Sequence, residues 1–204
     1  MELITKPDID RAVEMWDAYW AGDVLERPLV VASVPRPGKP RFSVTHNYTN
    51  ALTGRHAEQL ALLDQWLDST EFLCESIPFA WSDLGPDQFA AFLGTELEFS
   101  EDSPNTNWVT PIIEEWDDFL PLRLDGDNAT WQMALEYARL LAKHGEGRYL
   151  VGVADIHSNA DALSALRSPE RLCLDFYDHP DAIRKAMRQV RAPVSYTHLR
   201  AHET

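Results

Sequence analysis

The chain has 204 residues, 45% of them hydrophobic, and a formal net charge of -15 at pH 7. That apolar content supports a sizeable core and argues against disorder. So acidic a surface argues against nucleic acid or an anionic membrane as partner, because few cations are left to neutralise phosphates. The two cysteines, Cys74 and Cys173, each stand in a largely apolar run and are expected to be buried thiols of a reducing compartment. With no basic leader and no run of membrane-spanning length, a cytoplasmic location is expected.

Asp8 to Trp20 carries apolar groups at helical spacing behind a capping acid and stops near Gly22. Arg27-Pro-Leu-Val-Val-Ala-Ser-Val34 is nearly continuous in apolar character, as in a strand buried on both faces, and the proline cluster from Pro35 ends it. The polar segment that follows, with Arg41, His46, Asn47 and Tyr48, is a long connection of the kind that carries function. Leu60, Leu63, Trp66 and Leu67 form the stripe of a second helix. Glu71-Phe-Leu-Cys-Glu-Ser-Ile77 then reads as a second strand. A short helix is expected from Pro86 to Gly94, and a small β excursion around Leu97, Phe99 and residues 108–113. Asn128 to Gly145 has the best helical pattern in the chain, with Asn128 as its cap.

Arg148-Tyr-Leu-Val-Gly-Val-Ala-Asp-Ile-His157 is read as a third strand. Its alternation puts Val151, Val153, Asp155 and His157 on one face, apolar at the start and chemically equipped at the end. Asn159 is expected to cap the next helix, Ser168-Pro169 to start another with Leu172, Cys173 and Phe176 inward, and His179 onward to form the last. Trp16, Trp20, Trp66 and Trp131 are read as packing groups. Strands separated by helices imply parallel crossovers, and the insertions follow strands, where the sites of a (β/α)₈ barrel are built. The expected fold is therefore α/β, the N-terminal part of such a barrel with about three parallel strands and a small β excursion.

Asp155 and His157 are the leading catalytic pair. A carboxylate beside an imidazole fixes its tautomer and favours its charged form, which suits general acid/base work; the alternative is a helix cap and a packed loop histidine. Asp83, between Trp81 and Gly85, reads either as the polar anchor of an aromatic-walled pocket that includes Trp81 or as ordinary turn chemistry. Arg36 is a candidate partner for an anionic substrate group or a solvated loop arginine. Glu75 shares a row with Leu73 and Ile77 and faces either a barrel mouth or the helix layer.

Arg27-Pro28 with its strand, Gly85-Pro-Asp-Gln-Phe-Ala-Ala-Phe-Leu-Gly94, Tyr149-Leu-Val-Gly-Val153, and Leu172-Cys-Leu-Asp-Phe-Tyr-Asp-His-Pro180 together resemble the uroporphyrinogen decarboxylase superfamily over most of residues 8–193. The resemblance implies a distorted (β/α)₈ barrel with its cleft at the carboxyl ends of the strands. It also implies a decarboxylase, a lyase acting without metal or organic cofactor on a tetrapyrrole or another carboxylated small molecule. The methyltransferase branch implies instead zinc, held by residues beyond this chain, and a corrinoid partner; a third reading is an inactive fragment or binding module. A homodimer of the whole protein is compatible with all three. The family's Arg-Gln-Ala-Gly-Arg segment is replaced here by Val34-Pro-Arg-Pro-Gly38, with Arg36 as an approximate counterpart, and its downstream tyrosine falls near Leu163. These departures imply a changed substrate. The last segment, Val194 to Thr204, resembles a translated sequencing adapter and is expected to lie outside a domain of residues 1–193.

Overall fold

The computed structural model describes residues 2–42 and 48–201, from 192 onward as backbone only; His46 and Asn47 of the polar connection lie outside the described residues. In chain order the elements are α1 (Ile9–Trp20), β1 (Val31–Pro35), α2 (Tyr48–Leu52), α3 (His56–Ser69), β2 (Thr70–Cys74), β3 (Phe79–Trp81), α4 (Gln88–Phe92), β4 (Leu97–Ser100) and β5 (Ser103–Val109). They continue with α5 (Trp116–Phe119), α6 (Ala129–Gly145), β6 (Leu150–Gly152), α7 (Ala160–Arg167), α8 (Pro169–Asp178) and α9 (Pro180–Ala201). The class is α/β, as expected. The described strands form three separate pairs, β1 with β2, β3 with β6 and β4 with β5, and close no barrel among themselves. Only β3 and β6 run parallel, so the expectation of three parallel strands is corrected to one parallel pair. No described helix is long and apolar enough to cross a membrane.

The chain divides into two compact units, one of residues 1–45, 54–82 and 138–152, the other of residues 46–53, 83–137 and 153–204. In the first unit β1 and β2 are antiparallel, Val31 opposite Cys74 and Pro35 opposite Thr70. The reason lies between α3 and β2. Ser69 is helical and Thr70 already extended, so the chain makes no reversal between helix and strand, and the reversal that a parallel crossover needs is missing. Val34 and Leu73, on one face of the pair, are exposed, and so is Val31 at its end, where burial on both faces was expected of β1. The other face is covered, with Phe72 buried edge-on to Trp66 at 5.0 Å. Lys6, 1% exposed, ties the N-terminal segment to β2 through the carbonyls of Phe72 (3.2 Å) and Cys74 (2.5 Å). It also pairs with Asp8, whose side chain therefore does not cap α1. Buried Tyr149 donates its hydroxyl hydrogen to the Leu141 carbonyl (3.2 Å) and lies 2.9 Å from His144 Nδ1; burial pushes its phenol up to about 12.

In the second unit β4 and β5 form the expected excursion, an antiparallel hairpin with Leu97 opposite Val109. Phe89, Phe92, Leu163, Leu166 and Val190 are buried there, on the inner faces of α4, α7 and α9, together with Ile113 of the segment after β5. Ser168 caps α8 by accepting from Arg171 N–H. The inward side of α8 differs from expectation: Leu172 and Asp175 are buried, Phe176 and Cys173 exposed. Asp175 turns inward because Arg167 Nε (2.7 Å) and Trp116 Nε1 (2.9 Å) both donate to it. Cys74 is likewise exposed, against expectation, at the open end of β2, and Trp20, expected to pack, is 77% exposed at the end of α1. Helix α9 runs on through Val194 to Ala201.

Candidate acid/base site

Asp83, Asp155 and His157, three residues singled out from the sequence, come together in the second unit. The backbone N–H of Asp155 donates to Asp83 Oδ1 at 2.6 Å, and Asp155 Oδ2 lies 3.0 Å from His157 Nε2. Asp83 is buried while Asp155 and His157 are exposed, so the cluster has a fixed base and an open edge. With Asp155 accepting from Nε2–H, the neutral ring keeps its lone pair on Nδ1, which has no protein partner among the described residues.

The pair does not arise from a strand. β6 stops at Gly152, and residues 153–157 take an irregular path. Their backbone polar groups find side chains instead of a neighbouring strand: Asp155 N–H goes to Asp83, and the Asp155 carbonyl accepts from Gln88 Nε2 at 2.8 Å. Gln88 is fully buried. Its Nε2 also lies 3.4 Å from Asp83 Oδ1, and its Oε1 accepts from Leu84 N–H at 3.0 Å. One amide thus joins the 83–84 turn to the 155 segment, and every polar atom of that amide is satisfied.

The turn itself depends on Gly85. Its φ is +119°, and a Cβ there would stand 1.9 Å from Asn107 Nδ2. Asn107, reaching from β5, donates to the Leu84 carbonyl and accepts from Asp87 N–H at 3.2 Å. Only glycine leaves room for that side chain. Asp87 is half-buried beside the cluster. Burial pushes its carboxyl above the usual range, while nearby His157 and the Val109 N–H oppose the shift. Tyr48 of α2 is pushed up by burial and by the charges of Asp83 and Asp155, which places its hydroxyl within their electrostatic reach.

Sequence reasoning missed Gln88, Asp87, Asn107 and Tyr48 as members of the cluster. A polar Gln88 directly before Phe89-Ala-Ala-Phe92, in a helix otherwise apolar, was the available signal.

The other candidates belong to the first unit. Glu75 is 2% exposed and closes a two-pronged ion pair with Arg27 (2.7 and 2.8 Å), and its Oε2 accepts from Val30 N–H at 2.8 Å. The Arg27 guanidinium is the main reason its carboxyl lies below the usual range. It ties the chain entering β1 to the end of β2. Trp81 lies on β3 in register with Gly152 and edge-on to Phe79 at 5.2 Å. Gly152 faces both rings, and a Cβ there would meet them at 3.3 and 3.6 Å. Arg36 lines a cleft with Lys39 and Arg148. Among the described residues no group of three or more His, Cys, Asp or Glu side chains is arranged to hold a metal ion. Asn159, expected to cap α7, instead accepts from Arg191 Nε at 2.9 Å.

No family model matches the chain, and no curated protein or solved structure matches it significantly.

Proposed function

We propose that the chain is part of an enzyme resembling the uroporphyrinogen decarboxylases, a lyase that removes CO₂ from a carboxylated small molecule, with His157 and Asp155 as its acid/base pair. The observation that carries this reading is the 3.0 Å contact between Asp155 Oδ2 and His157 Nε2, on a segment anchored by Asp83 and Gln88. The pair follows the carboxyl end of a strand in a parallel pair, where barrel enzymes and open α/β sheets build their sites. On this reading β3 and β6 belong to a partial (β/α)₈ barrel.

The chemistry asks little of the protein. The bond between the carboxyl carbon and its neighbour breaks, CO₂ leaves, and the electron pair stays on carbon. His157, protonated, delivers the Nδ1 proton to that carbon while Asp155 holds the Nε2–H and balances the charge. Exposed His157 then recovers a proton from water. A formal charge of -15 opposes the approach of a polyanion, so a substrate with fewer carboxylates than uroporphyrinogen fits better.

The test is a panel of carboxylated tetrapyrroles, aromatic acids and β-keto acids, assayed for CO₂ release and for the product lighter by one CO₂. Turnover of at least one panel member, lowered by about 10²-fold or more in His157→Ala, is expected. Methyl transfer to or from a corrinoid, with no CO₂ from any acid, would replace this reading with the methyltransferase one.

A further inference from the structure

The first unit contains an open cleft of about 820 Å³ that the acid/base reading does not use. Its walls are the N-terminal segment, the turn after β1, the last turns of α3 with the start of β2, and the residues before β6. Ile4 N–H donates to the Gly147 carbonyl at 2.8 Å and the Thr5 hydroxyl to the Arg148 carbonyl, so the N-terminal wall is tied down.

Three cations and three carboxylates line the cleft. Two pairs are closed, Lys39 with Asp68 at 2.6 Å and Arg148 with Asp64 at 2.5 Å. That leaves Glu71, and Arg36, whose charge also bears on the Asp68 carboxylate. Arg36 is oriented from behind: its backbone N–H donates to the Ser69 carbonyl (2.8 Å) and its Nε to the Thr70 carbonyl (3.1 Å). Among the described residues its two terminal nitrogens have no partner, and the Glu71 carboxylate has none either. Glu71 pairs with Val34 in the β1–β2 register, and Arg36 lies two residues beyond Val34. Arg36 stands just past the end of β1, and both side chains line the cleft. No ion pair joins them.

We propose that this cleft binds a small zwitterion, an α-amino acid with an apolar side chain. The Arg36 fork takes the carboxylate through two parallel N–H donors, a geometry that a lysine lacks, and Glu71 takes the ammonium. Cleft and ligand are each neutral in sum. A plain carboxylate would bring a second anion against Glu71, and a plain amine a second cation against Arg36. Ile4, Pro37 and Leu67 supply the apolar surface for the side chain.

The test is an NMR titration of the ¹⁵N-labelled protein with three matched probes: L-leucine, 4-methylpentanoate, which lacks the amine, and 3-methylbutylamine, which lacks the carboxylate. Leucine is expected to give saturable shifts at Arg36 and Glu71, with each analogue weaker by about tenfold or more. Arg36→Gln should lose leucine binding, Arg36→Lys should weaken it, and Glu71→Gln should reduce leucine to the level of 4-methylpentanoate. No saturable response to leucine, equal binding of either analogue to the unmodified protein, or unchanged affinity in a folded Arg36→Gln would each overturn the proposal. The result does not depend on the decarboxylase reading.

Discussion

Asp83 Oδ1 accepts the backbone N–H of Asp155 at 2.6 Å, so a buried carboxylate holds in place the residue whose own carboxylate meets His157. The contact is charge-assisted and spans 72 residues of sequence. Replacing Asp83 by Ala removes the acceptor and leaves a peptide N–H without its partner. The expected cost is about 1–3 kcal/mol of stability, with any CO₂ release falling more than Asp83→Asn makes it fall, because asparagine still offers an oxygen. Denaturant unfolding and turnover of both variants check this; equal behaviour of the two would show that the oxygen at Asp83 is not what positions Asp155.

Gly85→Ala is expected to damage the same turn from the other side. The new methyl would meet Asn107 where no atom fits, at a φ that L-residues avoid. A loss of about 1–3 kcal/mol is expected, partly recovered in the double variant Gly85→Ala, Asn107→Ala, which removes the obstructing side chain. A Gly85→Ala protein as stable as the parent would show that the close approach of Asn107 is not needed.

Arg167 and Asp175 form the buried ion pair of the second unit, with Trp116 as a third member. Arg167 also holds the carbonyls of Ile113 and Glu114, which makes it the link between the segment after β5 and helices α7 and α8. Asp175→Asn should cost about 3 kcal/mol, because it leaves a buried guanidinium without its counter-charge. The pH dependence follows from the sign of the shift. Hydrogen bonding from Arg167 holds the Asp175 carboxyl below its usual range in the folded state. Its contribution is therefore fully present above the ordinary aspartate value near 4 and is lost as pH falls through the depressed folded value. Glu75, depressed by Arg27, has the same sign. Thermal unfolding between neutral and strongly acid pH should show a loss that is smaller in Asp175→Asn.

Asp87 has the opposite sign. Burial raises its carboxyl, so the folded state bears a penalty while the group is ionised, relieved as pH falls through the raised value. Asp87→Asn should raise the melting temperature at neutral pH, with the gain shrinking as pH falls through the raised folded value and gone below the ordinary aspartate value near 4. Melting curves for the two proteins that stay parallel across that range would contradict the assignment.

Local signals were the legible ones. Asn128 caps α6, its Oδ1 accepting from Trp131 N–H at 2.9 Å, where the first apolar turn begins. Ser168-Pro169 starts α8, and the alternation at Leu97 and Phe99 gives a real hairpin. The direction of β1 against β2 was not legible, because a valine-rich strand carries no mark of its partner. The chemistry was half legible. Asp155 and His157 stand out as residue types two apart, but their contact was derived from strand alternation, and in the structure it comes from an irregular segment held by Asp83 and Gln88. Periodicity speaks for residues that bury an apolar face; it is silent where the backbone is anchored by side chains far away in sequence.

The most direct test of the acid/base assignment is the rate of CO₂ release across the pH range in the parent protein and in Asp155→Asn, with the panel substrate that turns over fastest. The account predicts a lower rate in Asp155→Asn at every pH, because the partner that holds His157 Nε2–H has lost its charge. An unchanged rate in Asp155→Asn would contradict it.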